Sequence, residues 1–157
     1  MRRWRWVIVG VLVAAAIGGF VAWSSSLSRR PPATIDDAAF VRQANQICAK
    51  EVPALRAPER RSPSTTELTV DTLRNVADGI DHVAAQLRTV PVEADDAAKV
   101  DAWLDDWGRY TVVGRRYADA VARNDPGEYS AIDDEAVVIG RRMGRFARGN
   151  GIDDCVL

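Results

Sequence analysis

An uncharged run of 17 residues, Val7 to Trp23, constrains this 157-residue chain more than any other feature. So long an apolar helix has no polar face to turn to water, and at about 1.5 Å per residue it approaches the thickness of a bilayer core. Trp4 and Trp6 before it, and the stretch to Leu27 after it, lengthen the helix enough to cross. Those two tryptophans and Trp23 fall at the depths that interfacial aromatics favour. Residues 7–27 are therefore expected to form a transmembrane anchor. Arg2, Arg3 and Arg5 outweigh Arg29 and Arg30, which Asp36 and Asp37 soon follow. The positive-inside rule then puts residues 1–6 in the cytoplasm. Past a linker at 28–33, it puts a domain of residues 34–157 outside the cell membrane. The competing reading is a signal peptide cleaved after Ser26, with Ser24 at the −3 position. No cysteine near residue 25 could take a lipid, and Arg2-Arg3 lacks the apolar sequel of a twin-arginine signal.

Within the span, Gly10, Ala14, Gly18 and Ala22 recur every four residues and make one small-residue stripe. Such a stripe lets two helix backbones approach closely, so self-association through this face is one expectation. The plain alternative is that small residues are frequent in membrane helices and in an alanine-rich chain.

Charge is distributed as unevenly as hydropathy. All 22 acidic residues follow residue 35, and residues 31–157 hold 16 basic against those 22 acidic ones, a net charge of −6. An acidic domain repels phosphate backbones, which excludes nucleic acid as an expected partner. Membrane lipid remains one.

The rest of the sequence reads as helices. Thr34 offers an N-cap with Asp37 three positions on, and a first helix runs to about Arg56 with Phe40, Ala44, Ile47, Cys48, Val52 and Leu55 near one side. Ser64 and Glu67 form a capping box for a second helix. Its seam, Leu73, Val76, Ile80, Val83, Leu87 and Val90, alternates spacings of three and four, the pattern of a bundle core. Pro91 ends it. A third helix is expected from about Glu93 to Arg123, with Val100, Leu104, Trp107, Thr111, Ala118 and Val121 on its stripe. Asp125-Pro126-x-Glu128 starts a fourth, whose seam is Tyr129, Ile132, Ala136, Ile139, Met143 and Phe146, and Gly149 and Gly151 stop it. Short connections make successive helices antiparallel neighbours. The expected fold is all-α: an N-terminal transmembrane helix followed by an up-down antiparallel four-helix bundle. A three-helix packing with the first helix loosely attached comes second.

Cys48 and Cys155 are the only cysteines, an even count in an expected oxidising compartment. In an up-down bundle the fourth helix ends where the first begins. Cys48 lies roughly 20 Å along the first helix, and a tail from Gly149 to Cys155 also covers roughly 20 Å when extended. The tail can thus fold back along the first helix, and a Cys48–Cys155 disulfide is expected. A reactive thiol is the alternative, but there is no CxxC and no histidine nearby.

The segment Phe40-x-x-x-Ala44-Asn45-x-Ile47-Cys48, the Asp101-Ala102-Trp103 stretch and Gly151-x-x-x-Cys155 resemble a diffuse group of small actinobacterial membrane-anchored or secreted proteins. Its members carry a signal or anchor, an early A-(N/D)-x-I-C and a late G-x-x-x-C. The resemblance implies a helical ectodomain with paired cysteines, over most of residues 38–155, and implies no activity. The chain departs from the group in keeping only Pro91 before the third helix and in ending Val156-Leu157.

Candidate chemistry is sparse. His82 is the sole histidine, which excludes histidine metal clusters and disfavours a Ser-His-Asp site. A haem between His82 and Met143 has only the availability of those two side chains behind it. Asp36-Asp37 and Asp95-Asp96 suit first helical turns, where negative charge complements the helix dipole. Asp78, Asp81, Asp101 and Asp105 lie mid-helix at similar heights on neighbouring helices. They form either an oxygen-rich cation site or a solvated face partnered by Arg74, Arg88 and Arg109. Trp103, Trp107, Tyr110 and Tyr117 form an aromatic stripe; Trp103, Trp107 and Tyr110 either fill the core or make a docking patch. Arg141, Arg142, Arg145 and Arg148 close the fourth helix, favourably for its dipole, with lipid headgroups as a second role. No nucleophile–base pair can be assembled, so no enzyme and no cofactor is expected. The expected function is a non-enzymatic interaction or ligand-binding module of the cell envelope, engaging an envelope protein or ligand. The alternative is a structural or assembly protein that self-associates through its transmembrane helix.

Overall fold

In the computed structural model of the chain, residues 33–56 and 70–157 are described, and all regular structure among them is helical. The apolar run, its Gly10, Ala14, Gly18 and Ala22 stripe and the Ser64–Glu67 capping box lie outside the described residues. Among the described residues no helix is long and apolar enough to cross a membrane.

Helix α1 spans Ala38–Leu55, α2 Val70–Arg88, α3 Ala94–Ala122 and α4 Pro126–Gly149, and a 3-10 turn at Asp153–Cys155 follows. The expected cap of α1 is corrected from Thr34 to Asp37, whose carboxylate accepts from the Ala39 and Phe40 N–H groups at 3.0 and 2.9 Å. Asp37 sits two and three residues before those orphan donors, which places its short side chain in reach where Thr34 is not. Pro53 lies near the end of α1, and Arg56 caps it. Helix α3 starts after Glu93 and ends at Arg123 as its stripe predicts. Asn124 (φ 53°) then turns the chain sharply, and Asp125 accepts from the Glu128 N–H at 3.0 Å to cap α4, with Pro126 in the first turn. At the far end Gly151 takes φ 67°, and Ile152 N–H donates to the Ala147 carbonyl at 2.9 Å. This is a Schellman closure, and its left-handed position is what requires a glycine.

Neighbouring helices run antiparallel, as their cross-links show. Between α2 and α3 the pairs are Arg74–Asp119, Arg115 with Asp78 and Asp81, and Arg88 to the Leu104 carbonyl. Between α3 and α4 they are Arg123–Glu128, Arg116–Glu135 and Arg142–Asp106. Helix α1 packs on α2, but its other flank is closed by the C-terminal tail rather than by α4 itself. Asn45 ties the tail down: its Nδ2 donates to the Gly151 carbonyl at 2.7 Å and its Oδ1 accepts from Asp154 N–H at 3.2 Å. Asn150 binds the segment leading into α1 on the same side, accepting from Ile35 N–H at 2.8 Å and donating to the Ala33 carbonyl at 2.9 Å. Cys48 and Cys155 form the expected disulfide, with Cα atoms 5.0 Å apart across 107 residues of sequence.

The core gathers the predicted seams: Phe40, Ala44, Cys48 and Val52 from α1, and Ile80, Val83 and Leu87 from α2. Val100, Leu104 and Trp107 join them from α3, and Ile132, Ile139, Met143 and Phe146 from α4. Burying such a side chain fully contributes about 1.5–3 kcal/mol. Of the two alternatives for the aromatic stripe, Trp103 and Trp107 fill the core, and Tyr110 is half-buried. Trp103 and Trp107 are 3% and 0% exposed. Trp103 stacks on Phe146 at 5.2 Å and meets Phe40 and Trp107 edge-on at 6.4 and 5.8 Å. Helices α1 and α4 both reach that turn of α3, so Trp103, beside the aliphatic stripe, is interior.

One asymmetry of length positions everything that follows. Helix α1 has 18 residues and α3 has 29, about 27 Å against about 43 Å. Leu55, at the end of α1, lies over Gly79 of α2 so closely that a Cβ at Gly79 would collide with its side chain. Beyond that level α2, α3 and α4 continue without α1.

Candidate functional site

Where α1 stops, its apolar seat does not. The faces of the other three helices continue upward and enclose a groove of about 290 Å³. Leu73, Val76, Ala77 and Ile80 of α2 line one wall, and Tyr110, Val113, Gly114 and Tyr117 of α3 the floor. Asp133 and Ala136 of α4 line the other wall. Each residue follows from the seams. Leu73 and Val76 extend the α2 row, Tyr110, Gly114 and Tyr117 extend the α3 aromatic stripe, and Ala136 extends the α4 row. Leu73, Val76, Tyr110, Tyr117 and Ala136 are half-buried, in contrast with the buried positions one or two turns lower.

Small residues give the groove its shape. A Cβ at Gly114 would touch the Ala77 Cβ at 3.4 Å, so α2 and α3 approach closely beneath it. Tyr117 is braced edge-on by Tyr129 of α4, ring centroids 6.1 Å apart. The lining carries one charge. Asp133 is exposed at the rim and pairs with no cation among the described residues, whereas nearby Arg116 is taken by Glu135 at 2.8 Å and Arg74 by Asp119 at 2.9 Å. The lining thus combines two tyrosine side chains and one carboxylate with an aliphatic surface. That set suits holding an apolar body by shape, with one end oriented.

The structure disperses the other candidates. Asp78 and Asp81 are bound by Arg115, at 2.9 and 3.2 Å, and among the described residues no group of three metal-ligating side chains comes together. Of the two alternatives for Asp78, Asp81, Asp101 and Asp105, the described residues fit the solvated, arginine-partnered face. Arg115, about two turns beyond Arg109 on α3, reaches across to the α2 carboxylates instead. His82 is exposed and lies 2.6 Å from the Gln86 amide, while Met143 is in the core, so the two do not share a site. Of the arginines ending α4, Arg142 is bound to Asp106, a buried carboxylate of α3 that Arg109 also approaches at 3.4 Å. Arg141, Arg145 and Arg148 are exposed.

Two buried carboxylates had a role beyond dipole compensation. Asp96 accepts from the Asp36 and Asp37 N–H groups at 2.7 and 3.0 Å and from Lys99 at 2.8 Å. Asp37 in turn accepts from the Glu93 N–H at 2.9 Å. Lys99 first, and the two amides after it, hold the Asp96 carboxyl below its ordinary range. The Phe40, Glu93 and Ala39 amides do the same for Asp37. This cluster fastens α1 to α3 and has every acceptor engaged, so it is a joint.

Sequence reasoning named Tyr110 and Tyr117 and did not single out Asp133 or Gly114. The signal for Asp133 was its place on the flank of the α4 seam, between Ile132 and Ala136, but nothing in the sequence shows that α1 ends below it. No protein-family model, no curated protein and no solved structure matches the chain.

Proposed function

We propose that the chain is a membrane-anchored, extracytoplasmic, non-enzymatic ligand-binding or interaction module of the cell envelope. The observation that carries the binding role is the groove past the end of α1, an apolar, partly aromatic surface with one carboxylate, Asp133, that pairs with no cation among the described residues. Placement outside the cytoplasm is supported by the disulfide, which persists in oxidising compartments, and by the uncharged run at residues 7–27 with its arginine flank. Kinship with the diffuse actinobacterial group agrees with the roles of its motif residues here: Asn45 and Cys48 grip the tail, and Gly151 turns it. The exposed arginines Arg141, Arg145 and Arg148 suit contact with anionic headgroups as an accessory role.

The groove reading is tested by screening soluble one-ring fragments against the full chain in lipid nanodiscs, using ligand-observed NMR, beside an Ala136→Phe variant that fills the groove. Fragments that bind the parent and not the variant are expected. A library with no such fragment refutes the binding role and leaves assembly through the Gly10, Ala14, Gly18 and Ala22 stripe as the better account.

A further inference from the structure

The outward face of the second half of α4 is basic in a domain that is otherwise acidic. We infer that this face, with Val137, Val138, Arg141, Arg145 and Arg148, docks on the headgroups of an anionic bilayer, so that the domain leans on α4 instead of standing free. The inference rests on the membrane-anchored reading and owes nothing to the groove.

Charge marks the face first. Residues 136–149 hold four arginines and no acid, although residues 31–157 together carry a net charge of −6. Arg141, Arg145 and Arg148 follow one another at spacings of four and three, so they share one side of the helix, and all three are exposed. None of them forms an ion pair among the described residues, whereas Arg142 is taken by Asp106 and Arg116 by Glu135. The exposed tail acids Asp153 and Asp154 lie against α1, where Asn45 accepts from the Asp154 N–H at 3.2 Å. Asp134, the exposed acid on the same side of α4, comes before the valines. Val137 and Val138 are 40% and 60% exposed, two of the four large hydrophobic side chains that are exposed among the described residues. Apolar groups beside arginines match the bilayer interface: the valines enter the headgroup layer and the guanidiniums meet phosphates two-pronged.

Chain continuity selects a membrane over an acidic protein. Asn150 holds the Ala33 carbonyl and the Ile35 N–H, and Asp96 holds the Asp36 and Asp37 N–H groups, so the chain enters the domain pinned at the end of α4. By sequence, Leu27 closes the uncharged stretch six residues before Ala33, a reach of about 20 Å at most. The arginine row starts two residues from Asn150 and runs about 10 Å along α4. A bilayer tethered at that distance stays within reach of the row at any protein concentration. Each arginine near such a surface raises the docked-to-free ratio roughly fivefold.

The experiment places the full chain, with labelled valine methyls, in nanodiscs of phosphatidylcholine alone and of an equal mixture with phosphatidylglycerol, each containing a trace of lipid with gadolinium on its headgroup. Val137 and Val138 report the α4 face, and Val90, at the turn between α2 and α3, reports the end where the chain enters. The Val137 and Val138 signals are expected to broaden severalfold more in the anionic nanodiscs, and salt should reverse the difference. Each of Arg141→Gln, Arg145→Gln and Arg148→Gln should lower the docked-to-free ratio by up to about fivefold, and the triple variant should abolish the lipid dependence. Helical circular dichroism checks that the variants fold. Broadening confined to Val90, or Val137 and Val138 signals that ignore phosphatidylglycerol, overturns the docking and leaves the anchored reading standing. A chain that elutes apart from the nanodiscs overturns both.

Discussion

Asp37 and Asp96 each cap the chain at the other's helix: Asp96 accepts the backbone N–H of Asp37 at 3.0 Å, and Asp37 accepts the N–H of Glu93, which opens the Asp96 helix, at 2.9 Å. Two like charges are thereby held close in a buried joint, because five backbone amides and Lys99 converge on them. Both carboxyls titrate below their ordinary range in the folded protein. Their stabilisation is complete above about pH 4, the unfolded value, and is lost as pH falls through the depressed folded values. Melting temperature should be level near neutrality and drop steeply below about pH 4. Asp96→Asn should melt lower at neutral pH yet show a shallower acid slope. Parallel melting curves for parent and variant would sink the argument.

The Cys48–Cys155 bridge closes a loop of 107 residues. On the chain-entropy model this contributes about 4–5 kcal/mol, an upper figure. Reduction, or the Cys48→Ser/Cys155→Ser pair, should lower denaturant stability by as much as that amount. The tail should then become the first protease-sensitive segment among the described residues. Alkylation of the denatured, unreduced protein followed by mass analysis should add no label; two labels would refute the bridge.

Asp106 is buried on α3 with Arg142 reaching it from α4 and Arg109 from its own helix. Removing Arg142 leaves a buried carboxylate with its more distant partner. Since Arg142 itself is half in solvent, the cost of Arg142→Ala is expected near 1–2 kcal/mol, roughly half that of a fully buried pair. Arg142→Lys should restore only part of it, because an ammonium cannot make the two-pronged contact. Chemical denaturation of the three proteins reads the difference. Equal stability of parent and Arg142→Ala would show the contact to be idle.

The indole N–H groups of Trp103 and Trp107 are buried without a hydrogen-bond partner among the described residues. Trp103→Ala should cost about 3–5 kcal/mol, since it empties the centre of the aromatic cluster. Trp107→Phe should be far milder, within about 1 kcal/mol of neutral, because the lost volume is offset by removing an unsatisfied donor worth about 1–3 kcal/mol. A large loss on Trp107→Phe would mean that this N–H has an acceptor after all.

Helices, seams and the disulfide were legible because each has a local cause. Asp125-Pro126 starts α4, Gly151 ends it, and the three-four spacing from Ile80 to Leu87 fixes the α2 core face. The tail's reach could be estimated from rise per residue alone. What was not legible depends on where two elements meet. Trp103 looked like a flank because its own helix offers a cleaner stripe through Leu104 and Trp107; only Phe40 and Phe146 make it interior. Asp96 read as a dipole-complementing charge, and its second role needs the segment leading into α1 to pass beside it. Arg115 was overlooked as the partner of Asp78 because pairing across helices depends on register, which periodicity does not specify. The groove was hidden for the same reason, since helix lengths are visible in sequence but relative heights are not.

The tail's position against α1 also sets an order of events during synthesis. Cys48 and Asn45 are made long before Gly151 and Cys155, the residues they hold. At about 5–20 residues per second, α1 waits about 5–20 s with its Ala44–Cys48 side uncovered. No other cysteine exists in the chain to trap Cys48 wrongly in that interval, so the first thiol it can meet within its own molecule is the correct one. The oxidant that joins them therefore acts as a check on completion: a chain released short of Cys155 carries a free thiol beside an exposed apolar strip.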